Sequence, residues 1–150
     1  MGWPAAGSEY LAWHKYKLGW LADENVLIAK KSSTTALVTP IDKQGGVKAV
    51  VVPIDDMEAY VVEVRGRDRQ VGSATGVLCY KVSLTRGNGE GPIQIIPAKP
   101  DDGRAELEKK FITLYNALYF KGTVLEDADR RVKIAILGRE GRTYQIGVTR

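Results

Sequence analysis

The chain has 150 residues, enough for one domain with a real core, and 44% of them are hydrophobic against 27% charged, the balance of a water-soluble globular protein. A formal charge of +4, with lysine and arginine scattered and the aromatics on apolar periodicities, excludes the concentrated basic, aromatic-laced face of a nucleic-acid binder. No apolar run reaches the roughly 18 residues that span a bilayer, and Met1 to Tyr10 holds no lysine or arginine and so no export-signal pattern.

Ser8 to Leu21, SEYLAWHKYKLGWL, reads as one amphipathic helix. Leu11, His14, Leu18 and Leu21 share one helical face, and Ser8 is a natural N-cap after Pro4 and Gly7. Gly19 loosens the last turn, so that Trp20 and Leu21 leave it as an anchored exit. From Asp23 onward the chain reads as short strands. Val26–Lys30 and Thr35–Ile41 are β-branched runs around Lys31-Ser32-Ser33, the pattern of a hairpin. Val47–Ile54 follows, with Pro53 marking a strand end or an edge. In Ala59–Arg65, Tyr60, Val62 and Val64 face one way, and Val61, Glu63 and Arg65 the other.

Gly66–Thr75 reads as a polar loop, and Gly76–Leu84 as a strand with Leu78, Tyr80 and Val82 on its apolar face. Gly87 to Gly91 is a turn that opens a strand at Ile93–Ile96, not a phosphate loop opening a helix. Arg104–Phe120 has Leu107, Phe111, Leu114 and Leu118 at helical spacing, although Tyr115–Phe120 is aromatic enough to be extended. Val132, Ile134 and Ile136, then Tyr144, Ile146 and Val148, alternate as two strands joined by a Gly138–Gly141 loop. The expected fold is mainly β: a β-sandwich-like body over 23–150, an N-terminal helix within 1–22, and a second short helix, forming one compact unit.

The chemistry-bearing residues are few. A catalytic zinc needs three protein ligands and an open position. His14 is the only histidine, Cys79 the only cysteine, and neither H-E-x-x-H nor C-x-x-C occurs. His14 therefore reads as a helix residue, and Cys79, mid-strand, as a small hydrophobe rather than a nucleophile paired with His14. Asp55, Asp56 and Glu58, and again Glu126, Asp127 and Asp129, are carboxylate clusters of a type that suits calcium, but without the EF-hand pattern they read as solvated turns. Glu63 and Arg65 share a strand face and suit an ion pair or a partner contact. Trp3, Trp13 and Trp20 suit either a sugar platform or the seam where a helix docks on a sheet. No catalytic, cofactor or metal residue is assigned.

Trp13, Lys15 and Leu18-Gly19-Trp20-Leu21 resemble the W-x-K-x-x-L-G-W-L segment of secreted zinc metallopeptidases of the immune inhibitor A family, peptidase family M-six. Tyr60 to Arg65 resembles the strand that follows there, and Gly76 to Val82 its G-V-L-x-Y-x-V strand. Ser83 stands where the family often has aspartate, and so lacks that carboxylate. Gly91-Pro92-Ile93, Asn116-Ala117 and Tyr144–Thr149 fit the downstream order. The resemblance implies a non-catalytic C-terminal part of a secreted zinc-dependent endopeptidase, whose histidine ligands and glutamate base lie upstream of Met1. It implies zinc, with calcium as a second candidate, in the full-length parent, and an extracellular location. It also implies the catalytic half or a protein substrate as partner. If that half covers the Leu11/Leu18 face, the isolated chain is expected to self-associate. The alternative is a stand-alone β-sandwich module that binds carbohydrate or protein.

Overall fold

The computed structural model describes residues 10–65, 75–87, 89–99 and 117–150. Among these residues a helix, α1 (Ala12–Lys17), precedes a 3-10 turn at Asp23–Asn25 and nine strands: β1 (Val26–Ile28), β2 (Ser33–Val38), β3 (Ala49–Pro53), β4 (Glu58–Arg65), β5 (Gly76–Ser83), β6 (Ile93–Ile96), β7 (Val124–Asp127), β8 (Val132–Glu140) and β9 (Thr143–Thr149). They form two sheets, ordered β1-β3-β4-β5-β6 and β2-β9-β8-β7. The first is antiparallel except for β1, which runs parallel to β3; the second is wholly antiparallel. The mainly β, sandwich-like body expected from the sequence is present.

The strand alternation builds two cores. Val62, Val64 and Cys79 from the five-stranded sheet meet Val38, Ile134, Ile136, Tyr144 and Ile146 from the four-stranded sheet, and these fill the sandwich. Each fully buried aliphatic or aromatic side chain there stabilises the fold by roughly 1.5–3 kcal/mol. The opposite face of the five-stranded sheet is equally apolar. Val61, Leu78, Tyr80 and Val82 lie beneath Ala12, with Leu11, Trp13 and Leu21 packed alongside. That sheet is buried on both faces, which is why β4 and β5 read as nearly continuous apolar runs.

Side-chain bonds tie the layers together. The Tyr144 hydroxyl donates to the Thr75 carbonyl at 2.6 Å, and the Tyr60 hydroxyl donates to Asp127 across the sandwich. The loop between β2 and β3 is fixed by a buried ammonium. Lys48 Nζ donates to Thr39 Oγ1 at 2.8 Å, to the Pro40 carbonyl at 3.0 Å and to the Lys43 carbonyl. Arg142 Nη2 clamps both oxygens of Asp42 on the same loop at 2.6 Å.

Several local expectations are corrected. Val26–Lys30 and Thr35–Ile41 do not form a hairpin: β1 pairs with β3 and β2 with β9, so the chain changes sheets between them. Lys31-Ser32-Ser33 has no residue at positive φ, which a tight hairpin turn demands. The helix spans Ala12–Lys17 rather than Ser8–Leu21, and its inward residue is Ala12. His14 and Leu18, assigned to the apolar face, are exposed. β8 continues through Glu140, leaving a two-residue turn at Gly141-Arg142, with a register shift near Ile136 and Gly138 in place of a Gly138–Gly141 loop. β7 was not anticipated. The Ser8 cap, Trp3, most of the Gly66–Thr75 loop and residues 104–116 of the second helical candidate lie outside the described residues. At its end, Tyr119 bridges Val77 in extended pairing.

Candidate functional site

Among the described residues, the outer face of the five-stranded sheet carries a cluster of buried polar groups that meets the start of α1 and the residues just before it. Glu63 and Arg65 come from β4, and Tyr80 from β5. Glu63 pairs in register with Leu78 and Val61 with Tyr80, so Tyr80 sits diagonally beside Glu63 on one face. Glu63 is fully buried.

Glu63 Oε2 accepts two hydrogen bonds, from the Ala12 backbone N–H at 2.7 Å and from the Tyr80 hydroxyl at 2.7 Å. The Tyr80 oxygen in turn accepts the Trp13 N–H at 3.2 Å. Arg65 Nη1 lies 3.3 Å from Glu63 Oε1 and donates to the Tyr10 carbonyl at 3.2 Å. The Arg65 contact is ionic in character; Oε1 itself has no hydrogen bond among the described residues.

This network does the work of a helix cap. The first N–H groups of a helix have no partner within the helix. Leu11, at the N-cap position, has no side chain that can supply one. The donors at Ala12 and Trp13 are instead satisfied from β4 and β5, more than fifty residues away in sequence. A carboxylate at a helix N-terminus is also favoured by the helix dipole. At the other end, Gly19 adopts φ +74°, the Trp20 N–H reaches the Lys15 carbonyl at 2.8 Å, and the Gly19 N–H reaches the Tyr16 carbonyl at 3.0 Å. These are the two bonds of a Schellman stop. One end of α1 is therefore stopped by its own sequence, and the other is held by the sheet.

Burial pushes the Glu63 carboxyl above its ordinary range, while Arg65, the Tyr80 hydroxyl and the Ala12 N–H draw it back. Burial also raises Tyr80, reinforced by the adjoining Glu63. Among the described residues, the groups that contact Glu63 are donors and a cation rather than a second acid.

The other candidates are dispersed. Cys79 points into the sandwich core, on the side of the sheet away from α1, and burial raises its thiol strongly. It forms no dyad with His14, which lies exposed on α1 with Tyr10 edge-on at 6.3 Å. The two acidic clusters meet around Arg130. Asp55 Oδ1 accepts the Met57 and Glu58 N–H groups, each at 2.8 Å, and Asp55 Oδ2 lies 3.4 Å from Arg130 Nη1. Glu58 pairs with Lys81 at 3.4 Å. Asp127 accepts the Arg130 N–H and the Tyr60 hydroxyl beside an open depression of about 370 Å³. These carboxylates act as turn caps and ion pairs. Among the described residues no group of three or more His, Cys, Asp or Glu side chains is placed to hold a metal ion. With one histidine and one cysteine in the whole sequence, the donor set does not fit a zinc centre.

Trp13 packs against the outer face, with Lys17 Nζ 5.5 Å above its ring. Trp20 is 60% exposed, and Tyr10, 57% exposed, meets it edge-to-face at 5.5 Å. Sequence reasoning paired Glu63 with Arg65 but missed their target. Tyr80 was read only as an apolar face residue; the available signal was a tyrosine diagonal to a buried carboxylate on the neighbouring strand.

Fold and site together define a β-sandwich whose outer sheet face caps and seats a short helix. In comparisons with known proteins, no family model matches the chain, and no curated protein or solved structure matches it.

Proposed function

We propose that this chain is the non-catalytic β-sandwich portion of a secreted, zinc-dependent endopeptidase resembling the immune inhibitor A family, and that its task is to seat the segment joining it to the catalytic part. The observation that supports this reading is the convergence of three distant stretches. The helix with Trp13, Lys15 and Leu18–Leu21, the strand with Glu63 and Arg65, and the strand with Tyr80 carry the resemblance separately in sequence. They meet in one buried network. Such a network fixes the direction in which the chain enters the sandwich at Tyr10 and Ala12, which suits a brace behind a catalytic site. The zinc, the water it activates and the general base belong to the parent's catalytic part. The partner of this chain is that part, and the location is extracellular by the same resemblance. The purified 150-residue chain is expected to leave gelatin intact; hydrolysis abolished by a metal chelator contradicts the reading.

A second reading is favoured by the exposed Trp20–Tyr10 pair, whose perpendicular rings offer apolar surface to a sugar. On that reading the chain is a carbohydrate-binding module. Quenching of tryptophan emission by a glycan, lost in Trp20→Ser, supports the module; emission indifferent to glycans supports the brace.

A further inference from the structure

We infer that Glu63, Arg65 and Tyr80 form a peptide-binding seat, which residues 10–23 fill in cis and which takes the same segment of a second copy in trans. What the seat reads is mainly backbone. Glu63 Oε2 and the Tyr80 oxygen accept the Ala12 and Trp13 N–H groups, and Arg65 Nη1 donates to the Tyr10 carbonyl. The side chain it tests by size is Ala12, which is fully buried among Val61, Leu78 and Tyr80. The ligand is thus a peptide that offers a carbonyl, then N–H groups two and three residues on, with a small side chain at the first of these.

Seat and occupant are separable. Glu63, Arg65 and Tyr80 lie on β4 and β5, which pair with each other along their whole length. The occupant carries its own turn: Gly19 stops the helix, and the Tyr16 hydroxyl donates to Asp23 at 2.9 Å. Within α1 only Ala12 is buried; Leu11, Trp13 and Leu21 are half-buried around it, and Leu18 and Trp20 are exposed. A six-residue helix does not hold itself in water, so α1 persists through these contacts and opens more readily than the strands. The short tether presents the segment to its own seat at an effective concentration on the order of millimolar. Wild type is therefore self-occupied, and monomeric at micromolar concentration. Exchange between copies needs no new contact, because an incoming segment meets the same groups. The inference rests on the seating task proposed above but not on the peptidase assignment. Gelatin hydrolysis by the chain would sink that assignment and leave the seat standing.

A fluorescent peptide of residues 10–23, titrated against the full chain and followed by anisotropy, tests it. Two variants empty the seat. Ala12→Pro suits the extended entry at Leu11, φ −61° and ψ 149°, but removes the N–H that Glu63 accepts. Ala12→Leu keeps that N–H and overfills the buried position. Each variant is expected to bind the peptide at least about ten-fold more tightly than wild type, whose own segment competes. A peptide carrying Ala12→Pro should bind about ten-fold more weakly than the native peptide, and adding Tyr80→Phe to Ala12→Leu should weaken binding several-fold. An equimolar mixture of Ala12→Leu and Tyr80→Phe chains should sediment partly as dimer where each alone is monomeric. Wild type supplies a readout free of substitutions in case a variant does not fold: with the protein in excess at millimolar concentration, the peptide's own Ala12 and Trp13 amides should exchange more slowly than in free peptide. Peptide amides that exchange at the free rate throughout overturn the inference. So does equal binding to wild type and both folded variants, or equal binding of the native and Ala12→Pro peptides.

Discussion

Glu63 is the residue whose removal separates hydrogen bonding from charge most cleanly. In the native structure its Oε2 serves two donors at 2.7 Å, and its Oε1 faces Arg65 at 3.3 Å. Glu63→Ala strips the Ala12 N–H and the Tyr80 hydroxyl of their acceptor and removes the buried carboxylate that lies 3.3 Å from the Arg65 guanidinium. An orphaned buried donor costs about 1–3 kcal/mol, and breaking a buried ion pair about 3–5 kcal/mol. These overlap rather than add, so about 3–5 kcal/mol is expected for the alanine variant. Glu63→Gln retains an amide oxygen for both donors and relieves the desolvation of a charge; its expected cost is about 1–2 kcal/mol. The sign of the pH dependence follows from the raised carboxyl. A folded-state pKa above the unfolded value gives stability that is fully present below about pH 4.5 and is lost as pH rises through the folded value. The gap between wild type and Glu63→Gln should therefore narrow with rising pH. Urea unfolding followed by tryptophan emission and circular dichroism measures both variants, and amide exchange at Ala12 and Trp13 reports whether α1 is released locally. An alanine variant costing under about 1 kcal/mol, or a glutamine variant as costly as alanine, refutes the capping role.

Two further outcomes are expected. Arg142 holds the Asp42 carboxyl below its ordinary range, so this pair's contribution is present above about pH 4 and is lost as pH falls through the lowered value. Asp42→Asn should flatten that acid limb of the stability curve, and an unchanged limb means the clamp does not hold in solution. Cys79, buried with a raised thiol, should resist a thiol reagent in the native protein and react fully in urea; rapid native labelling contradicts its place in the core.

The strands were legible wherever alternation was strict. β4, β5, β8 and β9 could be read because Tyr60/Val62/Val64, Leu78/Tyr80/Val82, Val132/Ile134/Ile136 and Tyr144/Ile146/Val148 each commit one face to a core. Pairing was less legible. The Val26–Lys30 and Thr35–Ile41 runs are adjacent and β-branched, and nothing local tells a hairpin from a change of sheet, because each strand finds its partner far along the chain. β7 was obscured because Leu125 is its one buried residue amid Glu126 and Asp127. The helix was found but wrongly phased, since a six-residue helix has too few positions to define a face. What fixes its orientation is Glu63, and that is long-range information. The carboxylate was visible in the sequence as an odd charge in an apolar strand; what it grips was not.

Reading in frame the DNA that precedes the Met1 codon tests the proposed function most directly. A catalytic region containing H-E-x-x-H, continuous with the helix that Glu63 caps, is the expected result. A stop codon close upstream, with a ribosome-binding site before Met1, contradicts it and puts the stand-alone carbohydrate- or protein-binding module first among the readings to test.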